Sequence, residues 1–202
     1  MKTIALACGP GIMVMAIALM LAFGSLPVHG AVTASSNRIV VWDGTGAGWT
    51  NPSTSAIQAE STDVHNSTSA LEFKYNDDGG RWLGAGWNWL GFKKGAYGVD
   101  ISQSTFLTFW VKSTGTATDL QINLLCNGTV ADTPEHHTDK VHLSAYCPKL
   151  SDGTWHLVRI PLTAFAQPQG FDAKHVCEIQ LGLMADHMVA GSYVFDDIAF
   201  ER

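Results

Sequence analysis

The chain is poor in charge. Only 15% of its 202 residues are Asp, Glu, Lys or Arg, the 12 cations form no basic run longer than two residues, and the formal net charge is −6. Phosphate backbones and anionic membrane surfaces require clustered Lys and Arg, so nucleic acid and acidic lipid are excluded as expected partners. Neutral ligands such as uncharged sugars stay open. Also lacking is any stretch that holds a 3.6-residue apolar period for three turns, which argues against helical and α/β architectures.

Signatures of chemistry are scarce as well. There is no G-x-S-x-G, no phosphate loop and no C-x-x-C or H-x-x-x-H spacing. Glycoside hydrolysis needs two carboxyls about 5–9.5 Å apart across a cleft. The pairs Asp77 with Asp78 and Asp196 with Asp197 are sequence neighbours whose side chains diverge, and Glu178 stands without a partner. The expectation is that the chain is not an enzyme. His136, His137, Asp139 and His142 lie close together, but adjacent histidines on an extended chain point apart, so they are expected to form a polar surface loop.

Cysteine is sparse, with four in all. Cys8 falls in a nearly uncharged stretch, Ile4 to Phe23, that follows Lys2 and leads to Pro27, Val28, His29 and Gly30. This reads as a secretory signal over residues 1–30, with cleavage after Gly30 and a secreted or extracellular product that has no further membrane segment. The rival reading is a membrane anchor, which Gly9, Pro10 and Gly11 interrupt. Cleavage would leave 172 residues with a formal charge of −7, enough for one core. Cys126, Cys147 and Cys177 then permit one disulfide in any of three pairings. Cys126 with Cys147 is the favoured pair, since it closes a polar loop worth roughly 3 kcal/mol in the chain-entropy model. Cys177, inside an apolar run, is expected as a small buried hydrophobe.

What is present in abundance is period-two alternation separated by Gly, Asp, Asn and Pro. It covers residues 71–76, 81–90, 105–113, 120–126, 140–146, 155–162, 176–184 and 192–201. Short strands spaced by turns predict an all-β chain, an antiparallel β-sandwich. Residues 31–38 are expected as a flexible lead-in and residues 39–202 as the domain. The Ser/Thr/Asn-rich stretch from Ala31 to Ala70 could be a linker or a donated strand. Alternation assigns Leu107, Phe109 and Val111, Ile122 and Leu124, Val158 and Ile160, and Ile179, Leu181 and Leu183 to the core.

The faces opposite that core carry Trp, Arg, Asn and Gln rather than Lys and Glu. Indoles suit the apolar face of a sugar ring, and amides or guanidinium groups suit its hydroxyls. Trp87, Trp89 and Trp110 are candidates for the first role, Gln121, Asn123, Arg159 and Gln180 for the second. Packing is the alternative role for Trp82, Trp87 and Trp89.

Six short pieces occur in a telling order: Val-Val-Trp-Asp-Gly at 40–44, Ser-Ala-Leu-Glu-Phe-Lys-Tyr at 69–75, Asp-Gly-Gly-Arg-Trp at 78–82, Phe-Leu-Thr-Phe-Trp-Val-Lys-Ser at 106–113, Asp-Gly-Thr-Trp-His-Leu-Val-Arg-Ile-Pro-Leu-Thr-Ala-Phe at 152–165 and Tyr-Val-Phe-Asp-Asp-Ile-Ala-Phe at 193–200. In this order the chain resembles the family 11 carbohydrate-binding modules and their galactose-binding-like jelly-roll relatives. The resemblance implies a jelly roll whose concave sheet face grips a β-glucan without catalysis. It adds Arg81 to the candidate sugar contacts and keeps Trp110, Gln121, Asn123, Arg159 and Gln180 among them. It also implies a structural calcium, for which Asp43 and Asp196 are the candidate ligands because oxygen donors are required. The alternative function is a structural subunit of an extracellular fibre, coat or surface layer, with self-assembly or a partner enzyme as the associated partners.

Overall fold

The computed structural model describes residues 33–35, 37–42, 46–51, 55–76, 82–93, 97–115, 119–127, 135–184 and 190–202. Thirteen strands lie among them: β1 (Thr33–Ala34), β2 (Arg38–Val40), β3 (Ala47–Asn51), β4 (Ala56–Glu60), β5 (Ala70–Asn76), β6 (Trp82–Asn88), β7 (Phe106–Gly115), β8 (Gln121–Cys126), β9 (His136–His137), β10 (Val141–His142), β11 (His156–Pro161), β12 (Val176–Met184) and β13 (Ala190–Glu201). Only short 3-10 turns interrupt them, at Leu143–Ala145, Leu150–Asp152 and Leu162–Ala164. Every described strand pairing is antiparallel and the strands form two sheets, giving the jelly-roll sandwich expected from the alternation.

The first sheet is built on β13, which pairs with β7 on one side and with β5 and β2 on the other; β11 extends it beyond β7, and β4 beyond β5. The second sheet runs β10-β8-β12-β6-β3, with β9 also paired to β8. The core between them takes alternate side chains from the longer strands, including Phe73, Phe109, Phe195 and Phe200 from the first sheet and Leu83, Ile122, Leu124 and Leu181 from the second. Strands β3 and β4 fall in the stretch read as linker or donated strand, and β1 and the start of β2 in the segment expected to be flexible.

Trp87 and Trp89 belong to this core, which corrects their assignment as sugar contacts. Trp87 shares the parity of Leu83 and Ala85 and meets Trp42 edge-on at 5.2 Å; Trp89 meets Phe200 edge-on at 6.3 Å. The proposed disulfide is also corrected, because Cys126 and Cys147 are both free. The Leu143 N–H donates to Leu120 O and the Cys147 N–H to Leu143 O, so Cys147 sits at the Leu120 end of β8. Cys126 closes the opposite end, about 20 Å along the strand, whereas a disulfide needs Cα atoms roughly 4.4–6.8 Å apart. Burial pushes the Cys147 thiol above its ordinary value, as befits a packed thiol.

Candidate functional site

The outer faces of the two sheets differ in what covers them. On the first sheet, β13 is bulged at Asp197, which has φ +57°, so the alternation shifts: Tyr193 and Phe195 are core, Asp196 faces outward, and Ile198 and Phe200 return to the core. Arg38 holds the bulge through Asp197 Oδ1 at 2.8 Å and Glu201 Oε1 at 3.3 Å. Asp196 is fully buried beneath residues 61–69, and its Oδ2 accepts backbone N–H bonds from His65 (2.8 Å), Asn66 (3.0 Å) and Ser67 (3.3 Å) while Oδ1 accepts from Ser67 Oγ at 2.5 Å. Burial alone would raise this carboxyl, but the Ser67 hydroxyl and the three amides outweigh it and hold it below the ordinary aspartate value.

Asp196 is one of the two candidate calcium ligands, and both of its oxygens receive hydrogen atoms from the 65–67 segment. The other candidate ligand, Asp43, lies outside the described residues, and no group of three metal-binding side chains occurs among those described.

The anchored segment lays His65 on Trp110, ring centroids 3.8 Å apart and 21° from parallel, with Trp155 5.6 Å away and Lys112 paired to Asp63. Trp110 therefore does face outward, but under a stacked imidazole on the first sheet. Arg159 lies on that sheet too, at β11, with its guanidinium 3.8 Å from the Phe106 ring. Neither can join Gln121, Asn123 and Gln180, which belong to the second sheet on the opposite side of the sandwich. Arg81 lies outside the described residues.

The second sheet presents three ranks of outward side chains, aligned by strand register. One rank reads Asn51, Gly84, Gly182, Gln121 and His142; the next Trp49, Gly86, Gln180 and Asn123; the third Ala47, Asn88, Glu178, Leu125 and His137. The glycines are what make this face usable. A Cβ on Gly84 would lie 2.1 Å from Cη2 of Trp82, and one on Gly182 would lie 3.2 Å from its Nε1, so the Trp82 indole rests flat across both. A Cβ on Gly86 would lie 2.2 Å from Trp49 Nε1 and 2.3 Å from Glu178 Oε1. Both indoles remain partly exposed.

A chain of hydrogen bonds fixes the side chains between them. Glu178, only 3% exposed, accepts from Trp49 Nε1 at 2.8 Å and Gln180 Nε2 at 2.9 Å through Oε1, with Asn88 Nδ2 at 3.5 Å from Oε2. Gln180 Oε1 in turn accepts from Asn123 Nδ2 at 3.1 Å and lies 3.0 Å from His137 Nδ1. An amide oxygen only accepts, so this contact is a hydrogen bond when His137 carries its proton on Nδ1; in the other tautomer Nδ1 accepts from Asn123 Nδ2, 3.5 Å away. Trp49, Phe92, Leu125, Glu135, Glu178 and Gln180 line a cavity of about 270 Å³ at the third rank. Two aromatic planes, a line of oriented amides and a shallow cavity suit a ligand with apolar faces and hydroxyl edges.

Residues 31–202 match carbohydrate binding domain 30. The chain belongs to that family. Among solved structures, this family 30 module is similar to a crystal structure of a family 30 carbohydrate-binding module at 18% identity and a TM-score of 0.63, covering 81% of this chain and 87% of that one. A family 30 module of a cellulosomal cellulase from Clostridium thermocellum gives 18% identity and 0.61, over 81% and 96%. The expected likeness to family 11 is seen too: a Clostridium thermocellum family 11 module in complex with a β-1,3-1,4-mixed-linked tetrasaccharide gives 15% and 0.54, over 83% and 97%. No functionally curated protein matches the chain in sequence.

Gln121, Asn123 and Gln180 are thus the sequence-chosen residues that the fold brings to one face. Trp49, Trp82, Phe92 and His137 were missed as candidates, and Glu178 was noticed only as a lone acid. The signal for Trp82 was parity with glycine: on β6, Trp82, Gly84, Gly86 and Asn88 share the side opposite Leu83 and Ala85. No helix among the described residues is long and apolar enough to cross a membrane.

Proposed function

We propose that this chain is an exported, non-catalytic module that binds a neutral β-linked glucan on the outer face of the β3-β6-β12-β8 sheet, and so holds a partner enzyme or its cell against polysaccharide. The observation that carries this reading is the pair of indoles, Trp49 and Trp82, laid over a glycine strip and flanked by oriented amides. A pyranose with equatorial hydroxyls has an apolar face that stacks on an indole, and its rim of hydroxyls is met by Gln121, Asn123, Gln180, His137 and Glu135. The bound tetrasaccharide of the family 11 structure supports a β-glucan as the class of ligand, and the Ile4–Phe23 stretch supports export.

Binding without catalysis is supported by what occupies the buried acid. Glu178 is engaged by Trp49, Gln180 and Asn88, an arrangement that orients an aromatic ring. Isothermal titration of residues 31–202 with mixed-linkage glucan, cello-oligosaccharides, xylan and chitin oligomers tests the reading. Glucan binding that is lost in Trp49→Ala and Trp82→Ala, with circular dichroism unchanged, is expected. A folded domain that binds none of these sugars, or binds equally well without both indoles, would overturn it.

A further inference from the structure

Strand β11 forms one edge of the first sheet. It pairs with β7 alone, and nothing among the described residues pairs with its other side. Which backbone groups face that side follows from one contact just past the strand, where the Leu162 N–H donates to Thr105 O at 2.8 Å. The register sets Val158 opposite Phe109 and Ile160 opposite Leu107, and hydrogen-bonded pairs alternate with non-bonded ones, so His156, Val158 and Ile160 are the residues that bond to β7. The N–H and C=O groups of Leu157 and Arg159 therefore point away from the sheet, with no partner among the described residues.

This edge lacks the devices that keep native edges from pairing. Pro161 stands only at its end, no bulge interrupts its register with β7, and it carries no lysine. Its one formal charge is drawn back over the sheet: the Arg159 guanidinium lies 3.8 Å from the centre of the Phe106 ring on β7, and its Nε lies 3.9 Å from Glu201 Oε2. Leu157, on the same side of the strand, is 59% exposed. An unpaired backbone ladder beside an exposed leucine is a template for another strand.

We infer that β11 is a self-pairing edge, through which two copies of the chain join β11 to β11, antiparallel, with Leu157 opposite Leu157. A second copy fits because the edge is complementary to itself. In this register Leu157 exchanges both backbone bonds with its counterpart, and Arg159 exchanges them with Trp155 of the second copy, which shares the parity of Leu157. The side chains match too: the leucines cover one another, and each guanidinium faces a partly exposed Trp155 indole. Registers centred further along the strand set Arg159 opposite Leu157 or opposite another Arg159, which loses the apolar contact or brings like charges together. An edge of six residues falls short of the about 20–30 residues a side of a standard interface, so the dimer is weak, with a Kd of roughly 0.1–1 mM. Its two-fold axis stands perpendicular to the joined sheet, so both second sheets lie on one side of the dimer. Resting on the glucan-binding reading above, both proposed glucan faces then address the same surface, and a polymer that gathers copies raises their effective concentration.

Sedimentation velocity of residues 31–202 without sugar, from roughly 10 μM to 1 mM, tests the edge. The wild type is expected to show a monomer–dimer equilibrium. Leu157→Lys, which places a charge on the edge, and Leu157→Pro, which removes the N–H facing the free side, are expected to stay monomeric. Leu157→Lys changes an exposed side chain, so it should melt as the wild type does and bind a glucan hexasaccharide with the same affinity, while its affinity for polymeric mixed-linkage glucan falls roughly tenfold. A wild type that is monomeric throughout would overturn the inference, as would a dimer that survives both substitutions. Equal affinity of wild type and Leu157→Lys for the polymer would overturn the shared facing of the two glucan sites. Dimers that bind no glucan at all would instead overturn the glucan reading and leave the edge pairing standing.

Discussion

Replacing Gly86 with alanine adds one methyl group at the centre of the proposed face, and the structure fixes what it must displace. The new Cβ would stand 2.2 Å from Trp49 Nε1, 2.6 Å from its Cε2 and 2.3 Å from Glu178 Oε1. The indole or the carboxylate must move, and the 2.8 Å bond between them is lost in either case. A hydrogen bond to a charged group is worth about 1.5–3 kcal/mol. Alanine recovers about 0.5–1 kcal/mol of the strand penalty of glycine. The net loss of stability is about 1–2 kcal/mol, or a melting temperature lower by roughly 2–8 °C for a domain of this size.

Binding should suffer more. A displaced indole ceases to be a platform, and truncating or removing an aromatic anchor costs about 2 kcal/mol, which is roughly a 30-fold weaker dissociation constant. Calorimetric titration with a mixed-linkage glucan oligosaccharide, alongside differential scanning calorimetry, reads both quantities. Gly153→Ala is the control: its φ of +74° makes alanine strained, yet nothing lies within 4 Å of the added methyl. It should lose comparable stability and no affinity. If Gly86→Ala binds as tightly as the wild type, Trp49 is not a platform and the assignment of this face fails.

Three further outcomes follow from the first sheet and the core. Asp196→Asn keeps the shape but removes the charge that three backbone amides and Ser67 Oγ converge on, and is expected to cost about 2–4 kcal/mol in chemical denaturation. Because the folded carboxyl titrates below its ordinary value, its contribution is full above the ordinary aspartate value and is lost as pH falls through the folded one; Asp196→Asn should therefore flatten the acid limb of stability against pH, and an unchanged limb would refute this. Trp110→Ala should lower stability by loss of the His65 stack while leaving glucan affinity unchanged, whereas Trp87→Ala, a core truncation, should cost about 3–5 kcal/mol. Thiol titration of residues 31–202 in denaturant without reductant should find three free thiols, and a count of one would restore the disulfide.

How far the sequence could be read depended on what alternation encodes. Period two distinguishes inward from outward along one strand, and it located the β5 to β8 and β11 to β13 segments with most of their core residues. It carries no information about which of two sheets a strand joins. Trp110 and Gln180 both read as outward, and both are, but on opposite sides of a sandwich whose interleaving is decided by non-local pairing. The β3 strand, Ala-Gly-Trp-Thr-Asn, escaped because its glycine and small residues resemble a linker, although Gly48 is tight against Trp87 and Ile57. The bulge at Asp197 reversed the parity of Asp196, an insertion that no repeat of apolar residues announces.

The two outer faces explain one another. Each sheet offers tryptophan outward, and an exposed indole left bare is a liability unless something covers it or uses it. On the first sheet the cover is intramolecular: Asp196 accepts three successive backbone N–H groups, and this draws His65 down onto Trp110. On the second sheet the sequence goes the other way. Glycines at 84, 86 and 182 remove the side chains that would stand between the indoles and the strands beneath, and Glu178 spends a buried charge to orient Trp49 rather than to fasten a loop over it. The same pairing of carboxylate and aromatic thus seals one face and prepares the other. On the prepared face a flat, hydroxyl-edged chain would lie on Trp49 and Trp82 beside the oriented amides, with the Lys140 ammonium, 5.6 Å from the centre of the Trp82 ring, as its neighbour.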